Sequence, residues 1–545
     1  MQSVQNYLKA AVCGVLILTT AASCQKEFLD EEVLNNFAPE TLTDEAGLEA
    51  SLLGLYNHFS TLYTYSGPQG WPAVWQTGTD IAWSTQPQGI EIPFFNYNLL
   101  SSDNEAAGYT WNWAYVMIKN TNFIIANLES DAVATLPEER VTELLAEARF
   151  FRGHAYNTLA TAFGGVPLVT EPITEPRTDF VRAPLEEVNA LIESDLMYAA
   201  ENLPDIENVT VVDNVRATSR ANRHMANHLL SEFFLRTGDN AAAEAQADIV
   251  INSGLFSLIT ERYGIQASEP GTPFSDMFLY GNQRRRQGNT EGIWVLEAEN
   301  PRDVPGGQTN APQQRRIWGA AYHQKDGMAI ADSLGGRGIA RIRLNNYVLY
   351  DLYPEGDIRN SRHSIHRQFY YNNPAEQYSD IYGEPVPYAG PDTIFIIPPY
   401  TLKWGHFDPL DLFGFGMWKD FILMRLGETY LFRAEAEFKQ GKLEEAAETI
   451  NILRERAEAP LVEAGDIDLD FILDERIREL LAEENRRFTL MRTGTLVDRA
   501  YRYFGDNPVE NYQLQGLTET HLLLPIPQRE IDLNKDAELK QNPGY

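Results

Sequence analysis

The chain has 545 residues, with 77 acidic against 44 basic side chains and a formal net charge of −33. So negative a balance argues against a nucleic-acid partner, whose phosphates require arginine and lysine, and against direct adhesion to anionic lipid. The only two cysteines are Cys13 and Cys24, so the chain beyond residue 24 can form neither a disulfide nor a thiolate metal site.

In chain order, Lys9 precedes an apolar run over 10–22. The run is shorter than the roughly 20 residues that span a bilayer, and its shape predicts a secretory signal peptide over 1–23. Cys24 directly follows Ala21, Ala22 and Ser23, small residues of the kind a signal peptidase accepts. A cysteine at that position predicts lipidation of Cys24, with residues 24–42 as a charged tether. The alternative is an ordinary secretory signal with an incidental cysteine. Each acyl chain anchors at about 0.8 kcal/mol per buried CH2, so several are needed for firm attachment.

Leu48, Leu52, Leu55, Tyr56 and Phe59 recur at helical spacing and predict an amphipathic helix over 43–62, with Thr43 as its cap. An irregular stretch rich in Gly, Pro and Trp follows over 66–101. Helices are predicted over 111–128, 137–163, 184–202, 216–237 and 240–253. Residues 254–412 are broken throughout by Gly and Pro, with strand-like pieces at 292–299 and 393–398. Further helices are predicted over 421–440, 443–458, 468–493 and 496–503, before an extended tail. Two helical pairs share a pattern, Gly238 followed by Ala243 and Gly441 followed by Ala446. A glycine turn followed by small residues on the next helix fits tetratricopeptide-like packing, although any helical hairpin offers the same spacing. The expected fold is therefore mainly α. It is a tetratricopeptide-like helical-repeat scaffold with long irregular loops and a few short strands, in an N-terminal part over 43–253 and a C-terminal part over 254–545.

No catalytic engine stands out: there is no Gly-x-Ser-x-Gly, no Gly-x-x-x-x-Gly-Lys and no His-Glu-x-x-His. His224 and His228, and His363 and His366, are spaced like paired metal ligands, but no third ligand accompanies either pair, so no metal or cofactor is expected. A glycosidase needs two carboxylates about 5–10 Å apart, which an acid-rich sequence cannot place. Residues 63–98 gather Trp71, Trp75, Trp83, Phe94, Phe95 and Tyr97 with Asp80, Asn96 and Asn98. Aromatic faces stack on the C–H faces of sugar rings, and carboxylates and amides exchange hydrogen bonds with sugar hydroxyls. Trp111, Tyr115, Ile118 and Asn122 share a core-facing spacing, and Trp113 falls off it. Trp318, with Tyr322, forms a second aromatic group. The candidate glycan-binding residues are Asp80, Trp83, Trp75, Tyr97, Trp113 and Trp318. Core burial is the alternative role for each ring taken singly.

Five segments resemble the SusD/RagB family of outer-membrane nutrient-binding lipoproteins. They are "EARFFRGHAYNTLATAFGGVPLVTEP" over 147–172, "LMRLGETYLFRAEAEF" over 423–438, "INILRERA" over 450–457, "LDERIRELLAEENRRFTLMRTGTL" over 473–496, and the closing "LLLPIP" and "QNPGY". Glu484, Arg487 and Thr489 stand where the family usually has Gly, Trp and Asp. The position of Asp80 in "TDIAW" is similar to that of an Asp in the family's binding region. The resemblance implies a non-enzymatic lipoprotein at the outer-membrane surface. It would bind an oligosaccharide and close as a lid over a TonB-dependent, SusC-like transporter. Peptide capture on the same fold, and a surface glycan-degrading enzyme, are the alternatives. Glu475, Arg476, Glu479, Glu483, Arg486 and Arg487 lie at three- and four-residue spacings and are expected to form scaffold ion pairs.

Overall fold

The structure is a computed structural model that describes residues 44–64, 71–85, 89–133, 135–209, 219–307, 310–504 and 513–545. The signal peptide, Cys24 and the tether lie outside the described residues. Before the loop-rich segment run α1 (Glu45–Thr64), α2 (Glu105–Leu128), α3 (Glu138–Phe163), α4 (Leu185–Asn202), α5 (Arg223–Thr237) and α6 (Asn240–Ile251). After it come α7 (Leu426–Lys439), α8 (Leu443–Arg456), α9 (Leu469–Leu480), α10 (Arg486–Arg492) and α11 (Leu496–Phe504). The fold is mainly α.

Polar side chains cap several of the helix starts. Asp44 accepts from the Gly47 amide at 2.8 Å, and Asn104 accepts from the Ala107 amide at 3.0 Å. Each satisfies an amide that the first helical turn would otherwise leave unpaired. Leu48, Leu52, Leu55 and Phe59 form the buried stripe of α1, as their spacing predicts. Helices α2 to α8 pack each against the next, so the stack passes directly from α6 to α7 although about 170 residues of chain intervene. Gly238, with φ of 91°, turns α5 into α6, and Gly441, with φ of 78°, turns α7 into α8. The small residues after these turns are buried. The Ser231 hydroxyl donates to the Ala243 carbonyl at 2.8 Å, and Ala446 packs with Ala434, Ala447, Ile450 and Ile472. The main core draws on both sides of residue 254, from Leu48 to Leu539.

The strands are short and paired in twos. β1 (Ala82–Ser84) is antiparallel to β3 (Ile342–Leu344), β2 (Gly292–Leu296) to β6 (Phe421–Arg425), and β4 (Ile365–His366) to β5 (Tyr400–Thr401). Three sequence expectations change here. Residues 421–425 begin the predicted 421–440 helix but form β6, because pairing with β2 closes the insertion at its base. The strand-like piece at 393–398 is instead a helical turn, Asp392–Phe395, whose first carbonyl accepts from the amides of Ile396 and Ile397 at 3.0 and 2.8 Å. The helix predicted over 468–493 breaks between α9 and α10, where Ala482 has φ of 65° and Asn485 caps Phe488 at 3.2 Å.

The break separates two sets of buried charges. On α9, Glu475 meets Arg359, Arg454 and Arg478 at 2.7, 2.8 and 2.9 Å, and Glu479 meets Arg425 at 2.6 Å and also Arg456. Burial pushes the Glu475 carboxyl up, but Arg359, Arg478 and Arg454 together override it and hold the group at about 2. Glu475 and Glu479 therefore stay charged inside the protein, where only paired charges are tolerated.

Substitution Ala446→Leu should overpack the α7–α8 hairpin and lower stability by about 1–3 kcal/mol, read as a fall in unfolding temperature. Unchanged unfolding would contradict the close approach of the two helices.

Candidate functional site

The described part of the irregular stretch after α1 is anchored from the far end of the chain. Gly78, with φ of 66°, brings the backbone so close to the Phe94 carbonyl that a side chain there would collide with it. The Asp80 carboxylate beyond this turn is fully buried. It accepts from Arg486 Nε and Nη2 at 2.8 and 2.6 Å and from Arg499 Nε at 2.7 Å. Burial alone would raise the Asp80 carboxyl; Arg486 and Arg499 together hold it below the usual carboxylate range. Asn345, just after β3, donates to the Asp80 carbonyl. Arg487 donates to the carbonyls of Val74 and Thr77 at 3.1 and 2.6 Å and to the Tyr97 hydroxyl. The arginine that departs from the family pattern therefore clamps this same stretch.

The six residues singled out in the sequence are all buried. Asp80 has both oxygens committed to arginines, and the Tyr97 hydroxyl is committed to Arg487, so both belong to the scaffold. Trp113 was expected off the core face, but it is 1 % exposed, packs on Phe59 and His58, and donates its indole N–H to the His58 carbonyl at 3.2 Å. Trp75 packs edge-on against Phe488. Trp75 and Trp318, with Trp294 and Trp404, line a cavity of about 200 Å³. That volume lies below the roughly 300–1,000 Å³ typical of small-molecule sites.

Trp83 is 2 % exposed and packs with Phe95 and Phe504. The β1–β3 register sets it opposite Arg343, whose guanidinium lies 5.5 Å from the indole centre. Arg343 donates to the Leu344 carbonyl at 2.8 Å and to Asn346 Oδ1 at 3.1 Å, and its Nη2 lies 3.5 Å from the Tyr388 hydroxyl. The hydroxyls of Tyr388 and Tyr350 are 3.2 Å apart, and the two rings are 43 % and 54 % exposed. Burial and the neighbouring Tyr388 hydroxyl push Tyr350 up to about 12, so it remains a protonated hydrogen-bond donor. The result is a tyrosine face in the insertion, with Arg343 and then Trp83 stacked under it. Sequence reasoning missed Tyr350, Tyr388 and Arg343; the one signal was the run of tyrosines among the Gly- and Pro-rich turns of 347–388.

A second concavity, a groove of about 980 Å³, is lined by Tyr280, Arg362, His363, His366, Arg367 and His406 among others. His224 instead packs on Phe256, and His228 lies 2.9 Å from the Thr429 hydroxyl and 3.3 Å from Glu428. Among the described residues no three His, Cys, Asp or Glu side chains gather as a metal site.

Stacked helical pairs carrying a loop-built face define a SusD-like scaffold. The family model of the SusD family matches residues 416–545, and one described as starch-binding and associating with the outer membrane matches residues 27–235. The chain belongs to the SusD/RagB family. A SusD-like protein of Formosa agariphila is 26 % identical over 95 % of this chain and 96 % of its own. A SusD homologue of Bacteroides thetaiotaomicron, 21 % identical, superposes with a TM-score of 0.71 over 93 % of this chain and 98 % of its own. The surface glycan-binding protein A of the same organism, solved with laminarihexaose, is 16 % identical with a TM-score of 0.69 over 91 % and 99 %.

Replacing Asp80 with Ala leaves Arg486 and Arg499 buried without their shared counter-charge. The expected cost is about 3–5 kcal/mol in equilibrium unfolding. A variant as stable as the parent would show that Asp80 does not hold the stretch in place.

Proposed function

We propose that this protein is a cell-surface lipoprotein that captures an oligosaccharide and hands it to a TonB-dependent, SusC-like transporter in the outer membrane. The tyrosine face carries the reading: Tyr350 and Tyr388 stand exposed with their hydroxyls 3.2 Å apart, above Arg343 and Trp83. Exposed rings offer flat apolar surfaces for the C–H faces of sugars, and the phenols and guanidinium offer donors for hydroxyls. The support beneath is rigid, which lowers the entropy lost on binding. Trp83 acts as the support of the face, and Trp75 and Trp318 belong to the packing behind it.

The family description, starch-binding and associating with the outer membrane, and a relative solved with laminarihexaose support a glycan as the ligand. The strongly depressed carboxyls at Glu428, Glu435 and Glu475 are each paired to buried arginines, which suits scaffold rather than acid–base chemistry. Cys24 carries the lipid anchor in this reading, and residues 25–42 tether the protein to the membrane.

Truncating Tyr388 to Ala, with Tyr350→Ala as its companion, should weaken binding of laminarihexaose or another bound oligosaccharide by about thirtyfold, roughly 2 kcal/mol. The unfolding temperature should not change. Parent-like affinity in both variants would place the site elsewhere. Cys24→Ala protein should move from the outer-membrane pellet to the soluble fraction, and its retention in the pellet would refute the anchor.

A further inference from the structure

The groove of about 980 Å³ carries a charge opposite to that of the chain around it. Its volume is at the upper end of the roughly 300–1,000 Å³ of small-molecule sites. β4, the residues just after β5 and the segments around Tyr280 and His406 line it. Asp276 and Asp332 are its only acids among the described lining residues, and Asp276 is occupied by Arg262 at 2.6 Å.

The arginines are less committed. The exposed Arg362 donates to His363 Nε2 at 3.3 Å. Arg367 donates to the Leu349 carbonyl at 2.9 Å and to Asn360. Behind the groove wall, Arg315 donates to the carbonyls of His406 and Gly414 at 2.9 and 3.0 Å. Among the described residues none of these three makes an ion pair, whereas most of the buried arginines, Arg359, Arg425, Arg456 and Arg486 among them, have a carboxylate. A guanidinium left without a carboxylate in a concave, partly desolvated wall focuses positive potential into it. It can also take a planar oxyanion bidentately.

The remaining polar groups suit hydroxyls. Burial pushes His366 down to about 4, and burial together with Arg315 does the same to His406, so both rings are neutral near pH 7. His366 Nε2 and His406 Nδ1 are buried without a hydrogen-bond partner in the protein. Tyr280, 53 % exposed, lies 4.7 Å from the His406 ring and extends an aromatic wall along the groove.

We infer that this groove is an acidic-sugar subsite, in which Arg362 and Arg367 accept the carboxylate of a uronic acid or the sulfate ester of a sulfated sugar. The inference rests on the glycan-capture reading and deepens it, because Arg367 holds the carbonyl of Leu349, the neighbour of Tyr350. The tyrosine face stacks the neutral rings of the same chain, and the groove selects its charged unit.

Calorimetric titration of the mature protein with hexagalacturonate, a sulfated carrageenan hexasaccharide and laminarihexaose tests this. One or both acidic oligosaccharides should bind at least about tenfold tighter than laminarihexaose at low salt, with the advantage shrinking as salt rises. The arm that binds identifies carboxylate or sulfate as the recognised group. Arg362→Glu should remove that advantage while unfolding temperature and laminarihexaose binding stay unchanged. Acidic oligosaccharides that bind no tighter than laminarihexaose, or a preference that survives Arg362→Glu, overturn the subsite. In that case laminarihexaose binding lost in Tyr388→Ala keeps glycan capture standing. If none of the three oligosaccharides binds, the capture reading and the subsite fall together.

Discussion

The carboxylate of Asp80, shared between Arg486 and Arg499, is the contact on which the rest of the binding face depends. It joins residues 406 and 419 positions apart, deep inside the protein, and each partner is buried. Two guanidiniums on one carboxylate would be poorly tolerated without further acids. Glu484 accepts from Arg486, and Asp470 and Asp474 accept from Arg499. Arg476 also pairs with Glu484 and Arg502 with Asp470, so four guanidiniums face these four carboxylates, and a satisfied network of this kind holds its geometry more strictly than apolar contacts do.

From that clamp the loop face follows. Asp80 lies two residues before β1, and its carbonyl is held by Asn345 just beyond β3. The register of the β1–β3 pair then places Trp83 opposite Arg343, and Arg343 reaches Tyr388. A three-residue strand pair has little stability alone. Here it is fixed from below by the charges of α10 and α11, so a face made of irregular chain acquires the stiffness of the helical stack.

The acidity of the chain has two roles in this arrangement. Inside, Glu475 and Glu479 on α9 bind together the β2–β6 pair, α8 and the insertion through Arg359, Arg425, Arg454 and Arg456, and Asp80 ties its loop to α10 and α11 through Arg486 and Arg499. Outside, the excess of carboxylates keeps the protein soluble. Against that background a groove in which Arg362 and Arg367 lack acids is a local reversal, and in the proposed reading it attracts an anion where the surrounding surface repels one.

Much of the scaffold could be read before any coordinates. The apolar stripe of α1, the glycine turns at Gly238 and Gly441 and the small residues after them are local patterns with one favourable packing, so sequence alone determined the helical-repeat class. The same is true of the acid–arginine spacing in 473–496 as scaffold, and the family segments needed no structure to be recognised. Tertiary structure decided which aromatics face solvent. Trp113 and Trp83 have the same chemistry as a sugar platform, and burial depends on neighbours such as Phe59, Arg343 and Phe504 that lie far away in sequence. It also decided that 468–493 breaks in two, because Glu479 and Arg486 must reach partners on different sides, and that Asp80 serves the fold. Tyr350 sits in a single π-helical turn, and Tyr388 and the arginines of the groove sit in irregular chain, so their convergence is set by long-range pairing, which one-dimensional spacing does not encode.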